Sequence, residues 1–385
     1  MRFLHTSDWH LGRIFHGIHL TSDQAYVLEQ FVKLVGDTNP DAVLIAGDVY
    51  DRSVPPTEAV QLLDETLSRI LIDHRVPVIL IAGNHDSPER LGFGAGLLSR
   101  QGLHLAGLPD KNLAPVVLYD DSGPVYFCPL PYADPPVVRH LLSAPEANGH
   151  DRAMRCLSQY LARQVPRGTR AVALAHAFVA GGEECDSERY LTVGGSGTVS
   201  ISCFQPYHYT ALGHLLRPQQ AGTQHIRYAG SLLKYSFSEA THQKSVTLVE
   251  RDHAGRTGVE TVPLTPQRDV RCLEGYLDEI LAGPQNGENR YDYLMVTLKD
   301  TGVVYDAIGR LREVYPHVLH INRPHLAAAG GELPGLPGEH RRLGEMDLFT
   351  SFFEQVTGAA LSEEQARVFA AAVEELHRKE REVSV

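Results

Sequence analysis

Short apolar runs alternating with helical periodicity organise the first half of this 385-residue chain. Val78–Ile81 is an unbroken Val-Ile-Leu-Ile that stops at Ala82-Gly83-Asn84-His85-Asp86. Arg2–Thr6 runs the same way into Ser7-Asp8-Trp9-His10, and Ala42–Ala46 into Gly47-Asp48-Val49-Tyr50-Asp51-Arg52. Runs of this length bounded by turn residues predict buried strands. Between them lie Ala25, Leu28, Phe31, Val32 and Val35, then Val60, Leu63, Leu67, Ile70 and Leu71, each set spaced as one face of a helix. Thr21 or Ser22 is placed to cap the first helix, and Pro55-Pro56-Thr57 opens the second. The β-α-β-α-β series, with short connections, predicts a mostly parallel sheet covered on both faces.

Further strands are expected at Val125–Pro129, Arg170–Ala175, Tyr209–Leu212, Ile226–Ala229, Ser245–Glu250 and Gly258–Pro263, with a helix at Asp151–Gln164. The late strands are spaced as hairpins, which predicts a second sheet packed on the first. The Gly-rich polar stretch Glu183–Ser196 reads as a long loop near the strand ends. The pattern changes after Pro266. Arg268–Glu274, Tyr291–Leu298 and His317–Ile321 read as strands, and Tyr276–Leu281 and Val303–Val314 as helices. They make a small α/β module over residues 266–326, after a first domain of residues 1–265. Residues 327–344, rich in Gly, Pro and Arg, read as a linker. Two amphipathic helices, Asp347–Val356 and Ser362–Arg378, occupy a tail over residues 345–385 and have no evident core of their own. The fold class is therefore α/β: a two-sheet core flanked by helices, a small α/β module and a helical tail.

Composition narrows the class. No run is long enough to cross a bilayer, and Met1–His10 passes directly into strand and polar residues, so no leader is expected. Five scattered cysteines without a Cys-x-x-Cys spacing read as reduced thiols of a cytosolic protein. A net charge of −12 argues against coating nucleic acid by bulk electrostatics. It leaves open an enzyme that meets phosphate through bound cations and a few arginines.

The chemistry lies at the strand ends. Asp8 and His10 are two apart, a spacing that in extended backbone puts both side chains on one side. Asp48 and Asn84 follow the next two strands, His176 follows Ala171–Ala175, and His214 follows Tyr209–Gly213. Ligands in open α/β sheets bind at the carboxyl ends of strands. Carboxylate, imidazole and amide donors together suit manganese, iron or zinc better than calcium. Six donors exceed the need of one catalytic ion and point to two, about 3.5–4 Å apart, the arrangement used in phosphoryl chemistry. Asp48, on the middle strand, is best placed to bridge them. His85 reads as the acid–base group, with the Asp51 carboxylate expected to fix its tautomer and Arg52 to meet substrate phosphate. Arg13 and His16 are close to the site in sequence.

Ser7–Gly12, Gly47–Arg52, Gly83–Asp86, Ala175–Phe178 and Gly213–Leu215 resemble the calcineurin-like metallophosphoesterases. Asp51–Pro56, Ala211–Gln219 and Tyr228–Glu239 narrow the resemblance to the SbcD nucleases, bacterial relatives of the Mre-type double-strand-break repair nucleases. The resemblance covers nearly the whole chain. It implies two manganese ions and DNA phosphodiester hydrolysis, as exonuclease on duplex ends and endonuclease on single strands or hairpins. It implies Asp8 and His10 on the first ion, Asp48 bridging, and Asn84, His176 and His214 on the second, with His85 catalytic. The small module resembles the family's capping domain, which helps position DNA, and the tail the segment that docks on the coiled-coil base of the SbcC ATPase. Homodimerisation is a further expectation, through Val54–Asp73 and the residues near Leu91–Leu98.

One position departs from the family pattern. Its usual Gly-His-x-His ending supplies a second histidine to the first ion, and here that position is Leu216. The first ion would keep Asp8, His10 and the shared Asp48. Two other readings follow: a catalytically weakened or inactive subunit that binds DNA ends, and a small-substrate phosphodiesterase on the same scaffold.

Overall fold

The computed structural model describes residues 1–186, 188, 197–252, 257–285, 287–301, 304–324, 345–357 and 359–383. The chain divides into two compact units, Met1–Val270 and Arg271–Val385. In chain order the strands of the first unit are β1 (Arg2–Thr6), β2 (Ile14–Phe15), β3 (Ile18–His19), β4 (Ala42–Ile45), β5 (Val78–Ile81), β6 (Leu103–Ala106), β7 (Val116–Asp120), β8 (Gly123–Leu130), β9 (Arg170–His176), β10 (Tyr209–Gly213), β11 (Gln219–Ala221), β12 (Thr223–Tyr228), β13 (Ser245–Arg251) and β14 (Thr257–Pro263).

Two six-stranded sheets form the body of this unit. The first has the order β14-β13-β1-β4-β5-β6 and the second β11-β12-β10-β9-β8-β7. β1, β4, β5 and β6 are parallel neighbours, and so are β8, β9, β10 and β12. The two sheets bury a shared core, with Phe3, Leu44, Ile79 and Ile81 from one and Phe127, Val172, Leu174 and Tyr209 from the other. Phe3 meets Phe127 and Tyr209 edge-on at 5.7 and 5.5 Å, geometry that aligns ring edges with ring faces. Helix His150–Ala162 covers the second sheet with Met154, Leu157 and Leu161. Helix Thr21–Thr38 buries Val27, Leu28, Phe31, Val32 and Val35.

One polar tie crosses the apolar layer. His5 on β1 is fully buried, with Nδ1 3.1 Å from the Tyr209 hydroxyl and Nε2 3.1 Å from the Leu212 carbonyl. Burial lowers its pKa to about 3, so the ring is neutral. Its Nε2–H then donates to the carbonyl while Nδ1 accepts from the tyrosine. The tie joins β1, which leads to Asp8, to β10, which leads to His214.

The second unit carries β15 (Val270–Gly275), β16 (Tyr293–Leu298) and β17 (Val318–Asn322) in a sheet of that order. Helices Leu277–Leu281 and Ala307–Val314 pack on it through Leu277, Ile280, Ala307 and Leu311 against Leu294, Val296 and Val318. Helices Glu345–Thr357 and Glu363–Val383 follow, and the rings of Phe349 and Phe369 stack between them at 3.8 Å.

Several details differ from the sequence pattern. The hairpin β13–β14 belongs to the first sheet, because β13 pairs antiparallel with β1. The centre of the second sheet is parallel rather than built of hairpins, with antiparallel strands only at its edges, β7 and β11. The sequence pattern does not mark β6 and β7, whose apolar alternation is weak. Helix Thr21–Thr38 starts after Leu20 with no side-chain cap, so Thr21 and Ser22 lie inside it. The expected linker 327–344 and most of the expected loop Glu183–Ser196 lie outside the described residues.

Candidate metal centre

The ends of β1, β4, β5, β9 and β10 meet at one buried point. Asp48 is its centre. Asp48 Oδ2 lies 3.4 Å from His176 Nε2, 3.8 Å from His10 Nε2 and 4.0 Å from His85 Nε2. Asn84 Oδ1 lies 2.9 Å from His176 Nε2 and 3.1 Å from His214 Nδ1. The rings of His10 and His85 are 4.7 Å apart, and those of His176 and His214 5.4 Å. Asp8 joins Asp48 and His176 in one group of close ligand atoms, and His10, Asp51 and His85 form a second. All six residues expected to bind metal, and His85, are thus gathered in one pocket.

The backbone that delivers them is strained. Asp8, His10, Asp48 and His214 all have positive φ, at 53°, 46°, 50° and 109°. Non-glycine residues there cost on the order of 1–3 kcal/mol each and cluster at functional sites. Asp8 and His10 therefore converge through a left-handed turn after β1, and the pleat alternation expected from their spacing plays no part. Gly47 (φ 88°) and Gly83 allow the close approach of the β4 and β5 ends. A Cβ on Gly83 would overlap the Asp48 carboxylate.

Side chains from one loop brace the backbone of the next. Asp8 accepts the His214 N–H at 3.0 and 3.1 Å, and Asp48 Oδ1 accepts the His85 N–H at 2.8 Å. Asp86 accepts the N–H groups of Val49, Tyr50 and Gly83 at 3.2, 2.9 and 2.9 Å, locking the Asp48 loop to the Asn84 loop. The sequence assigns Asp86 no role, although its place after His85 puts it beside the site.

Asp51 acts differently from expectation. The acceptor for His85 Nδ1 is the Asp51 backbone carbonyl, at 2.8 Å, and not its carboxylate. That carboxylate turns to Arg13, at 2.8 Å, and lies 3.6 Å from His10 Nδ1. The physical reason is charge: the permanent Arg13 cation holds the carboxylate in an ion pair at 2.8 Å. The tautomer of His85 is still set, with Nδ1–H donated and Nε2 turned toward Asp48. Arg52 is exposed on the same loop, and Arg13 is the arginine that reaches into the site.

Leu216 is 2% exposed. Its N–H donates to Glu188 Oε1 at 2.7 Å and its carbonyl accepts from Lys244 Nζ at 2.7 Å. An aliphatic side chain offers no donor atom at that position.

The donor set fits divalent cations. Burial pushes Asp8 up to about 8, while His176, whose burial opposes charging, is raised to about 9 chiefly by the Asp48 carboxylate. Burial would raise Asp48 as well, but His176 and then His10 hold it below the carboxylate range. Burial lowers His214 to about 3 and lowers His10. His176 donates Nδ1–H to the Ala46 carbonyl at 2.9 Å. A proton on its Nε2 faces the oxygens of Asn84 and Asp48, the place a cation would take. Second-sphere fixing of a ligand histidine by a backbone carbonyl is the usual pattern in metal sites.

Comparison with known proteins decides the family. Residues 1–184 match the family described as calcineurin-like phosphoesterase, and residues 266–357 match the type 5 capsule protein repressor C-terminal domain. The SbcD subunit of the nuclease SbcCD from Staphylococcus epidermidis is 32% identical over 323 residues, 84% of this chain and 85% of that protein. The chain belongs to the SbcD nuclease family. Its activity is accordingly that of a nuclease, a phosphoester hydrolase. Two solved structures also align: a dimetal phosphatase from Danio rerio (TM-score 0.43, 13% identity, 68% of this chain, 96% of that one) and a protein of Thermus thermophilus, TT1561 (TM-score 0.37, 13% identity, 68% and 98%). Among the described residues no helix is long and apolar enough to cross a membrane, and all five cysteines are free thiols.

Metal binding at this SbcD-type pocket is expected to be proton-linked. Asp8 and His176 are both raised, to about 8 and about 9, so at pH 7 the pair holds protons that a cation must displace. Apparent affinity therefore rises from pH 7 to 9 and levels off above that. Calorimetric titration at pH 7 in buffers of different ionisation enthalpy is expected to show a net release of protons on metal binding. No proton release would contradict this.

Proposed function

We propose that this chain hydrolyses DNA phosphodiesters at the strand-end pocket with two divalent ions, manganese by preference. The observation that carries the reading is the gathering of Asp8, His10, Asn84, His176, His214 and His85 around the single buried carboxylate of Asp48. Asp48, Asn84, His176 and His214 would hold one ion. Asp8, His10 and the bridging Asp48 would hold the other. When bound, the pair supplies Lewis-acid charge and an activated water for in-line attack. His85, its Nδ1–H held by the Asp51 carbonyl, would present Nε2 to the leaving oxygen, acting as the imidazolium: Nε2 gives its proton there and the ring returns to the Nδ1–H tautomer. Asp86 and the Asp8 carboxylate keep the loops fixed while charge develops on the phosphate. Duplex ends are the exonuclease substrate, and single strands or hairpins the endonuclease substrate.

The second unit supports the same reading. Its α/β module (residues 266–326) is the capping domain that positions DNA, and the helices of residues 345–385 dock on the coiled-coil base of an SbcC ATPase. The relative's name, a subunit of SbcCD, supports that partner. The exposed Phe352 and Val368 suit such a helix-on-helix contact. A second copy of the chain covers another face. Val54, Val60, Phe93 and Leu97 are exposed there, Phe93 at 84%, around an apolar cavity of about 450 Å³ lined by Leu63, Leu67, Leu91 and Leu98. Sedimentation is expected to show a dimer that Phe93→Asp converts to monomer; an unchanged monomer in both would refute it.

The buried Leu216 favours a second reading, a subunit with a weakened first ion site and low intrinsic turnover. The test joins both. Purified protein with manganese is expected to cut linear duplex and single-stranded DNA, and His85→Ala to lower kcat by about 10²–10⁴-fold with metal binding retained. Leu216→His is expected to tighten the weaker manganese site. Full activity in His85→Ala, or intact DNA at saturating manganese, would overturn the proposal. An unchanged Leu216→His would remove the second reading.

A further inference from the structure

The segment Gly230–Lys244 contributes no ligand, yet it lies under two of the strand-end loops. Tyr235 is its buried centre. The tyrosine hydroxyl donates to the Trp9 carbonyl at 2.5 Å, between Asp8 and His10. Gln24 Nε2 reinforces the same turn, contacting the Trp9 and His10 carbonyls at 3.2 and 2.8 Å and the Tyr235 oxygen at 3.3 Å. The Tyr235 ring stands against the His10 imidazole at 5.6 Å and 78°. The Arg13 guanidinium lies 5.7 Å from the same ring and holds Asp51 beside His10 Nδ1.

Tyr235 is itself anchored from below. Its N–H donates to Glu239 Oε1 at 3.0 Å. Glu239, 0% exposed, pairs with Lys244 at 2.5 Å, and Lys244 donates to the Leu216 carbonyl and the Ser231 hydroxyl at 2.7 and 2.8 Å. Breaking one member of such a buried pair leaves an uncompensated charge, so the support is stiff.

His10 is the group most in need of that support. Its Nδ1 is buried without a hydrogen-bond partner, 3.6 Å from Asp51 Oδ1. His176 and His85, by contrast, are each pinned by a backbone carbonyl. The His10 imidazole is instead placed by the backbone turn, the Tyr235 and His85 rings, and the Asp48 and Asp51 carboxylates. We propose that Tyr235 is a positioning residue for His10, and that it preorganises the ion site made by Asp8, His10 and Asp48 while leaving the Asn84–His176–His214 site untouched. The inference rests on the two-ion reading above.

The test is calorimetric titration of manganese into the full-length protein, with Tyr235→Phe, Tyr235→Leu and His10→Ala. Wild type is expected to show two classes of site, and His10→Ala to lose one. Tyr235→Leu is expected to weaken that same class by about 10- to 100-fold, as loss of a second-sphere partner does, and to leave the other class unchanged. Tyr235→Phe removes one oxygen and keeps the ring and the fold. It is expected to weaken the His10 class by a smaller factor and to restore most of what Tyr235→Leu loses. Equal loss at both sites in Tyr235→Phe would show a merely structural role, and no change at the His10 class in either variant would overturn the proposal. Two intact classes in wild type with that second result would leave the two-ion reading standing; a single class in wild type would remove both.

Discussion

The pocket crowds Asp8, Asp48 and Asp86 out of water among His10, His85, His176 and His214, and the rest of the structure is arranged around that. Asp48 sits among His10, His85 and His176 within 4.0 Å, with Asp8 and Asp86 also buried nearby. Burial raises Asp8 to about 8 and Asp86 to about 6, and it lowers His214 to about 3. So many ionisable groups in a dry pocket disfavour their own charges. A divalent cation inverts that preference, since it becomes the largest local charge. The pocket is therefore unfavourable as bare protein and favourable as a ligand set.

Cross-bracing offsets that burden. Asp8, Asp48 and Asp86 each accept backbone N–H groups from a neighbouring loop, so these carboxylates act as fasteners. The left-handed turns at Asp8, His10, Asp48 and His214 persist because those fasteners over-determine them. His5 adds a neutral tie between β1 and β10, upstream of two of the loops. Tyr235 and the Glu239–Lys244 pair complete the support from beneath. Rigid fixing of this kind is what electrostatic stabilisation of a developing charge requires.

Much of this is legible in the chain. Val78–Ile81 and Ala42–Ile45 announce themselves as buried strands, and the Asp, Asn and His residues that follow them are the ones that meet. What stays hidden is long-range or backbone-directed. The hairpin β13–β14 reads as a hairpin, but pairing with β1 puts Ser245–Arg251 beside Arg2–Thr6 across the length of the first unit, and no periodicity records a partner. Tyr235, Gln24 and Asp86 grip carbonyl or N–H groups, which nearly every residue has, so their targets leave no mark in sequence. The Asp51 case is of the same kind: a carbonyl replaces the carboxylate, because Arg13 arrives from the loop after β1 to claim the acid.

The most direct test is anomalous diffraction from crystals soaked in a manganese salt at a pH of about 8 to 9, where the protons on Asp8 and His176 are readily displaced. The account requires two peaks flanking the Asp48 carboxylate, one bounded by Asn84, His176 and His214 and a weaker one by Asp8 and His10. A single peak that leaves Asp48 unshared, or density with no peak among these side chains, would contradict it.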